Sequence, residues 1–128
     1  MKIERLHHIA IICSDYEKSK RFYTEILGLK IENEIFRAER NSYKLDLSLN
    51  GQYLIELFSF SNPPQRHTRP EATGLRHIAF SVKNIENEIE FLNSKNIDTE
   101  QIRIDEVTNR KFTFFNDPDN LPIEIYEI

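Results

Sequence analysis

Leu75–Val82, LRHIAFSV, has a near-copy at the front of the chain, Leu6–Cys13, LHHIAIIC. Overlaid, His8 falls on His77, Ile9 on Ile78 and Ala10 on Ala79. The segments that come next echo as well. DYEKSKRFYTEILG after the first copy and NIENEIEFLNSKNI after the second are both amphipathic runs with a polar start. Later in each half come YLIELFSF (53–60) and LPIEIYE (121–127), which set Glu56 against Glu124. His8 to Glu56 is 48 residues and His77 to Glu124 is 47. A self-similarity at so constant a period fixes the architecture before any single residue is interpreted.

Working outward, Leu6–Ser14 reads as a short, Ile-rich strand. His8, Ala10 and Ile12 then share one face, and His7, Ile9 and Ile11 the other. Asp15 is placed to cap a helix running to Leu27, and Gly28 to end it. Leu29–Arg37, Lys44–Asn50 and Gln52–Phe60 read as three strands, the last two joined by the Asn50–Gly51 hairpin signal. The stretch 61–73, SNPPQRHTRPEAT, holds three of the five prolines and no apolar period, so it reads as a linker. The order then repeats: strand Gly74–Val82, helix Asn84–Asn96, strand Asp98–Ile104, then strands Lys111–Asn116 and Pro122–Glu127 about the turn DPDN at 117–120. The predicted class is α+β. One domain comprises two βαβββ modules, residues 1–60 and 74–128, with the linker between them.

Bulk properties agree. At 128 residues there is room for one domain with a real core, whereas either half alone is marginal. Hydrophobic content of 39% and charged content of 30% suit a soluble globular protein. There is no long apolar run and no signal-peptide pattern, so no membrane partner is expected. The single cysteine, Cys13, cannot form an intrachain disulfide, and a reducing cytoplasm is the default location. Seventeen Lys and Arg against twenty-one Asp and Glu leave −4, which argues against a nucleic-acid binder.

Strand alternation puts His77, Ala79 and Ser81 on one face and Ile78 and Phe80 on the helix side. It likewise turns Glu56 and Glu124 away from their aliphatic neighbours. A carboxylate so placed must be solvated, paired or metal-bound, because burying it bare costs several kcal/mol. Each of these residues taken singly is more often structural than functional. Matched frames in both halves favour function, although a duplication also preserves core residues. Two imidazoles and two carboxylates suit a borderline divalent ion such as Zn, Ni, Co, Mn or Fe.

These motifs resemble the vicinal oxygen chelate superfamily, which includes glyoxalase I. The resemblance spans nearly the whole chain. It rests on HHIAI (7–11), Phe22–Leu29, IELF (55–58), RHIAF (76–80) and FNDPDN (115–120) followed by PIEIY. NGQYLIELFSF and RKFTFFNDPD are similar to the small bacterial glyoxalase-like proteins of the YaeR type. The resemblance implies a strand cup holding one divalent metal, Ni, Zn or Co in the first place and Mn or Fe otherwise. Its ligands fall on His8, Glu56, His77 and Glu124, with His8 preferred to His7 because it shares the frame of His77. The implied activity is that of a lactoylglutathione lyase: isomerisation of a 2-oxoaldehyde–thiol hemiacetal through a metal-held enediolate. Glu124, with Glu56 opposite, would be catalytic and move the proton. The superfamily also offers dioxygenases, thiol transferases and non-catalytic resistance proteins as alternatives. The implied partners are a small-molecule substrate and a second copy of the chain in a homodimer. Where glyoxalase I carries a Gly-rich loop, this chain has DEVTNRKF. Arg110 and Lys111 in that loop are the candidate substrate-binding cations, with Arg66 and Arg69 of the linker beside them. His7 and His67 read as bystanders.

Overall fold

The computed structural model describes residues 1–128, and chain contacts divide it into two units, Met1–Gln65 and Arg66–Ile128. The boundary falls inside the Pro-rich stretch, most of which goes with the second unit. Both units are α+β, with the element order that the repeat predicts.

The first unit runs β1 (Ile9–Cys13), α1 (Tyr16–Arg21), β2 (Lys30–Arg37), β3 (Ser42–Leu49) and β4 (Gln52–Ser59). Its sheet has the order β1-β4-β3-β2, with β1 parallel to β4 and the other pairs antiparallel. The second runs β5 (Ile78–Val82), α2 (Ile85–Ser94), β6 (Arg103–Ile104), β7 (Lys111–Asn116) and β8 (Pro122–Glu127). Its order is β5-β8-β7-β6, with the same pattern of parallel and antiparallel pairs. A β-α-β-β-β chain closes its first strand against its last in parallel, because the helix returns the chain to the same end.

Alternation then sorts each sheet. Ile11, Cys13, Leu45, Leu47, Ile55 and Leu57 are buried on one face, together with Tyr16, Phe22 and Tyr23 of the helical segment. In the second unit Ile78, Thr113, Phe115, Ile123 and Ile125 are buried with Ile85 and Leu92 of α2. The helical elements pack on β4 and β8 respectively. Between the buried residues of β4 and β8 stand the half-buried Glu56 and Glu124.

Three local differences from the sequence reading have physical causes. First, the helix capped by Asp15, whose side chain accepts from the Lys18 amide, stays regular only to Arg21. Phe22–Ile26 then widens into a π turn. Thr24 Oγ1 donates to the Lys20 carbonyl at 2.8 Å, a back-bond of the kind that bends helices. Gly28, at φ +69, still ends the segment as expected, with the Leu29 amide reaching back to the Tyr23 carbonyl. Second, the strand predicted over Asp98–Ile104 contracts to Arg103–Ile104, because upstream only the Glu100 amide finds a β7 carbonyl, that of Phe114. Third, β1 and β5 begin one residue after His8 and His77, so each imidazole stands at a strand entrance. The Asn50–Gly51 hairpin is as predicted, both residues taking positive φ.

Candidate functional site

The two halves place their donors on equivalent rungs. Ala10 pairs with Glu56 across β1 and β4, and Ala79 with Glu124 across β5 and β8. Alanine on that rung leaves the space over the carboxylate open to the histidine that precedes it by two residues. His8 Nε2 lies 3.3 Å from Glu56 Oε2, and His77 Nε2 lies 2.9 Å from Glu124 Oε2. The Glu56 and Glu124 side chains retain only 15% and 13% of their exposure, so each needs a partner. Each unit therefore brings one predicted imidazole to one predicted carboxylate. No cluster of three or more His, Cys, Asp or Glu side chains poised for a metal forms.

The pairs fit a divalent ion. Two ligands at right angles, with N and O each about 2.1 Å from the metal, lie about 3.0 Å apart. The separations of 3.3 and 2.9 Å match that spacing. A plain charge-assisted hydrogen bond has a similar length.

Around the pairs the units differ. In the first, Asp46 stands directly across from Glu56 in the β3–β4 register. Lys44 Nζ reaches Glu56 Oε1 at 2.8 Å and Asp46 Oδ1 at 2.5 Å. The Tyr53 hydroxyl donates to Glu56 Oε1 at 2.6 Å and lies 3.0 Å from Asp46 Oδ1. Burial alone would push the Glu56 carboxyl up. Hydrogen bonds from Lys44 and Tyr53 more than offset it and hold the group below the usual carboxylate range. Asp46 is lowered likewise, its burial outweighed chiefly by Lys44 and Tyr53. Lys44 is burdened by desolvation but raised on balance by its two carboxylates. The Tyr53 hydroxyl is pushed up by burial and by the same two anions. His8 Nδ1 is 2.8 Å from His7 Nδ1, and both rings pack on Tyr53. One ring must donate and the other accept, so the tautomers of His7 and His8 are coupled.

In the second unit Phe114, not a carboxylate, stands across from Glu124. Its ring meets His77 edge to face, centroids 5.3 Å apart. Arg76 occupies the place of His7, and His77 Nδ1 is buried with no hydrogen-bond partner. A cavity of about 140 Å³ adjoins His77 and Phe114, lined by arginines that include Arg69, Arg76 and Arg103.

The loop cations expected to meet substrate are placed differently. Lys111 shares the helix-side face of β7 with the buried Thr113 and Phe115, opposite to Phe114, and its amine pairs with Glu86 of α2 at 2.5 Å. Arg110 is exposed, in a loop organised by Asp105, whose carboxylate accepts from the Val107 amide. Neither lines the cavity beside His77, whereas Arg66 and Arg69 do.

The sequence reading missed Lys44, Asp46, Tyr53 and the part played by His7. Asp46 and Lys44 were reachable from the alternation of β3, where Leu45 and Leu47 take the core face. Tyr53 was not, because a bulge at Leu54, where the register jumps from Ser48↔Tyr53 to Leu47↔Ile55, turns Tyr53 onto the face of Glu56.

Residues 5–125 match the model of the Glyoxalase/Bleomycin resistance protein/Dioxygenase superfamily. The chain belongs to that superfamily. It is 60% identical to the uncharacterised protein YwkD of Bacillus subtilis over 99% of both chains. To the uncharacterised protein YaeR of Escherichia coli it is 56% identical, over 98% of this chain and 97% of that one. A glyoxalase family protein of Enterococcus faecalis superposes with a TM-score of 0.90 at 48% identity, covering 99% of this chain and all of that one. More distant relatives, each 29% identical, are the lactoylglutathione lyase of Schizosaccharomyces pombe and the metallothiol transferase FosB of Staphylococcus saprophyticus. This chain spans 48% of the former's length and 77% of the latter's. No helix is long and apolar enough to cross a membrane.

Proposed function

We propose that this superfamily member is a metal-dependent lyase of the glyoxalase I type, isomerising the hemithioacetal of a 2-oxoaldehyde and a thiol. The observation that carries the reading is the repeat of one His–Glu pair on equivalent rungs, Ala10–Glu56 and Ala79–Glu124. His8, Glu56, His77 and Glu124 would hold one divalent ion, donated by the two modules of one chain or of two chains in a homodimer. When bound, the ion supplies Lewis-acid polarisation of the substrate's oxygens.

The two carboxylates take different parts. Glu56 is tied by Lys44 and Tyr53 through Oε1, which leaves Oε2 as a fixed donor. Glu124 contacts only His77 and faces Phe114, so its carboxylate is free to turn. It takes the proton from the carbon that bears sulfur and hydroxyl and returns it to the neighbouring carbonyl carbon, while the hydroxyl proton passes to the former carbonyl oxygen. No atom is gained or lost, and the product is a 2-hydroxy thioester. Phe114 keeps water from one side of the base, which favours return of the same proton. The matched carboxylate in each module favours this chemistry over a dioxygenase or thiol transferase built on two His and one Glu.

The test is reconstitution. Metal-stripped protein loaded with Ni, Co or Zn should bind one ion per four-residue site. It should then form a thioester from methylglyoxal premixed with glutathione, cysteine or another small thiol. A protein that takes up no metal, or takes it up and yields no thioester with any thiol, refutes the reading.

A further inference from the structure

The cavity beside His77 has no part in the proton transfer just described, yet it is built rather than incidental. Arg66 organises its floor. One guanidinium nitrogen donates to the carbonyls of Leu75 and Arg76 at 2.6 and 3.1 Å, and Nε reaches Thr68 Oγ1 at 3.1 Å. Thr68 Oγ1 in turn donates to the Asn120 carbonyl at 2.7 Å, fastening the linker to the β7–β8 turn. On the wall, Arg103 lies 5.0 Å from the ring centres of both Phe112 and Phe114, a cation–π placement that fixes its plane.

The charges do not balance. Glu100 serves both Arg69, at 3.3 Å, and Arg103, at 2.8 Å. Glu71 touches Arg76 only at 3.9 Å. Four arginines against two glutamates line one concavity, an excess of two positive charges before any histidine is protonated. On an open surface such cations are simply hydrated. Here Arg69, Arg76 and Arg103, with side chains 77%, 66% and 51% exposed, rim about 140 Å³ of concave space, and guanidinium forks match the paired oxygens of a carboxylate or phosphoryl group.

We propose that this cavity is an oxyanion subsite, taking the carboxylate or phosphoryl group of a small substrate whose oxygenated end reaches His77 and Glu124. The proposal rests on the reading of His77 and Glu124 as part of the reacting site. Phe114 borders both regions, with His77 on one side and Arg103 on the other, so one ligand can span them. The linker arginines thereby select substrates by charge, while the His–Glu pairs act on their oxygens.

The experiment uses the full-length, metal-free protein, titrated separately with inorganic phosphate and with malonate and followed by amide chemical shifts. Saturable shifts are expected at His77, Phe114 and Asn116. In the double variant Arg76→Gln/Arg103→Gln the dissociation constant should rise at least tenfold. Arg103→Lys should recover part of that loss, and Arg21→Gln, which removes one charge from the first module, should change nothing. The probe that binds more tightly identifies the group the subsite prefers. Absence of saturable binding by both probes, or equal weakening in Arg21→Gln, overturns the proposal. Failure of metal uptake with arginine-dependent anion binding intact removes the lyase reading and leaves the subsite. Thioester formation with anion binding indifferent to the arginines removes the subsite alone.

Discussion

In the first module Glu56 receives Lys44 at 2.8 Å and Tyr53 at 2.6 Å, with Asp46 across the strand. In the second, Glu124 receives His77 at 2.9 Å and faces Phe114. The backbone rungs are equivalent and the donor pairs identical, so the difference lies chiefly in the third strand of each module, with Tyr53 of β4 added in the first. KLD at 44–46 surrounds one carboxylate with charge and hydrogen bonds. FTF at 112–114 surrounds the other with aromatic surface. On the proposed reading, a duplicated scaffold supplies two copies of the same ligand pair, and the neighbouring strand makes one copy a rigid donor and the other a movable base.

The largest effect that tests this division is kinetic. Glu124→Gln keeps an oxygen donor but cannot accept a proton. Thioester formation should fall by about 10²- to 10⁴-fold, the usual worth of a positioned general base. Metal content should stay near one per site. Glu56→Gln should instead lose metal at dilutions where the wild type keeps it, and added metal should restore much of its rate. The reverse pattern, with metal lost at Glu124 and chemistry lost at Glu56 despite full loading, would exchange their roles.

That division was only half legible in the sequence. The repeat gave the topology, because a copy of LHHIAIIC in the same frame forces the same β-α-β-β-β closure. It also distinguished His8 from His7 and set Glu56 against Glu124. Three things escaped. Tyr53 lies on its functional face only because the bulge at Leu54 breaks strict alternation. Arg76 and Arg103 went unremarked, because they join Arg66 and Arg69 around one cavity only through the fold of the second unit. Lys111 looked like a free loop cation, but strand parity turns it to the helix and Glu86. Periodicity reports which face a residue takes in a regular element, and each miss lies at an irregularity or in a long-range pairing.

An intermediate effect is expected at the neighbours of Glu56. Lys44→Met and Tyr53→Phe each remove one donor from Oε1 while leaving all four ligands. Outer partners of this kind typically contribute 10- to 100-fold in metal affinity. Competition with a chelator should show losses in that range for both variants. The counterpart in the second module, Phe112→Leu, should leave affinity within about twofold, since Phe112 donates nothing to Glu124. Equal losses on both sides would mean that affinity follows general packing and that the comparison has no chemical content.

The smallest effect concerns how each helix is held to its sheet. In the first module Glu34 of β2 accepts from Tyr16 at 2.6 Å and from Lys20 at 2.7 Å. Lys20 and then Tyr16 hold its carboxyl below the ordinary range, against a smaller opposing effect of burial. In the second, Glu86 of α2 pairs with Lys111 on an open surface. A carboxyl depressed in the folded state stabilises the fold above its unfolded pKa, about 4.3, and loses that contribution as pH falls through the lower folded value. Glu34→Gln should therefore cost on the order of 1 kcal/mol in urea unfolding at pH 7, after allowance for partial solvent screening. The gap from wild type should close as the pH is lowered from 5 toward 3. Glu86→Gln should produce no resolvable gap at any pH. A gap for Glu34→Gln that persists unchanged at pH 3 would assign its cost to packing of Tyr16 against Tyr43, whose rings stack 4.3 Å apart, instead of to charge.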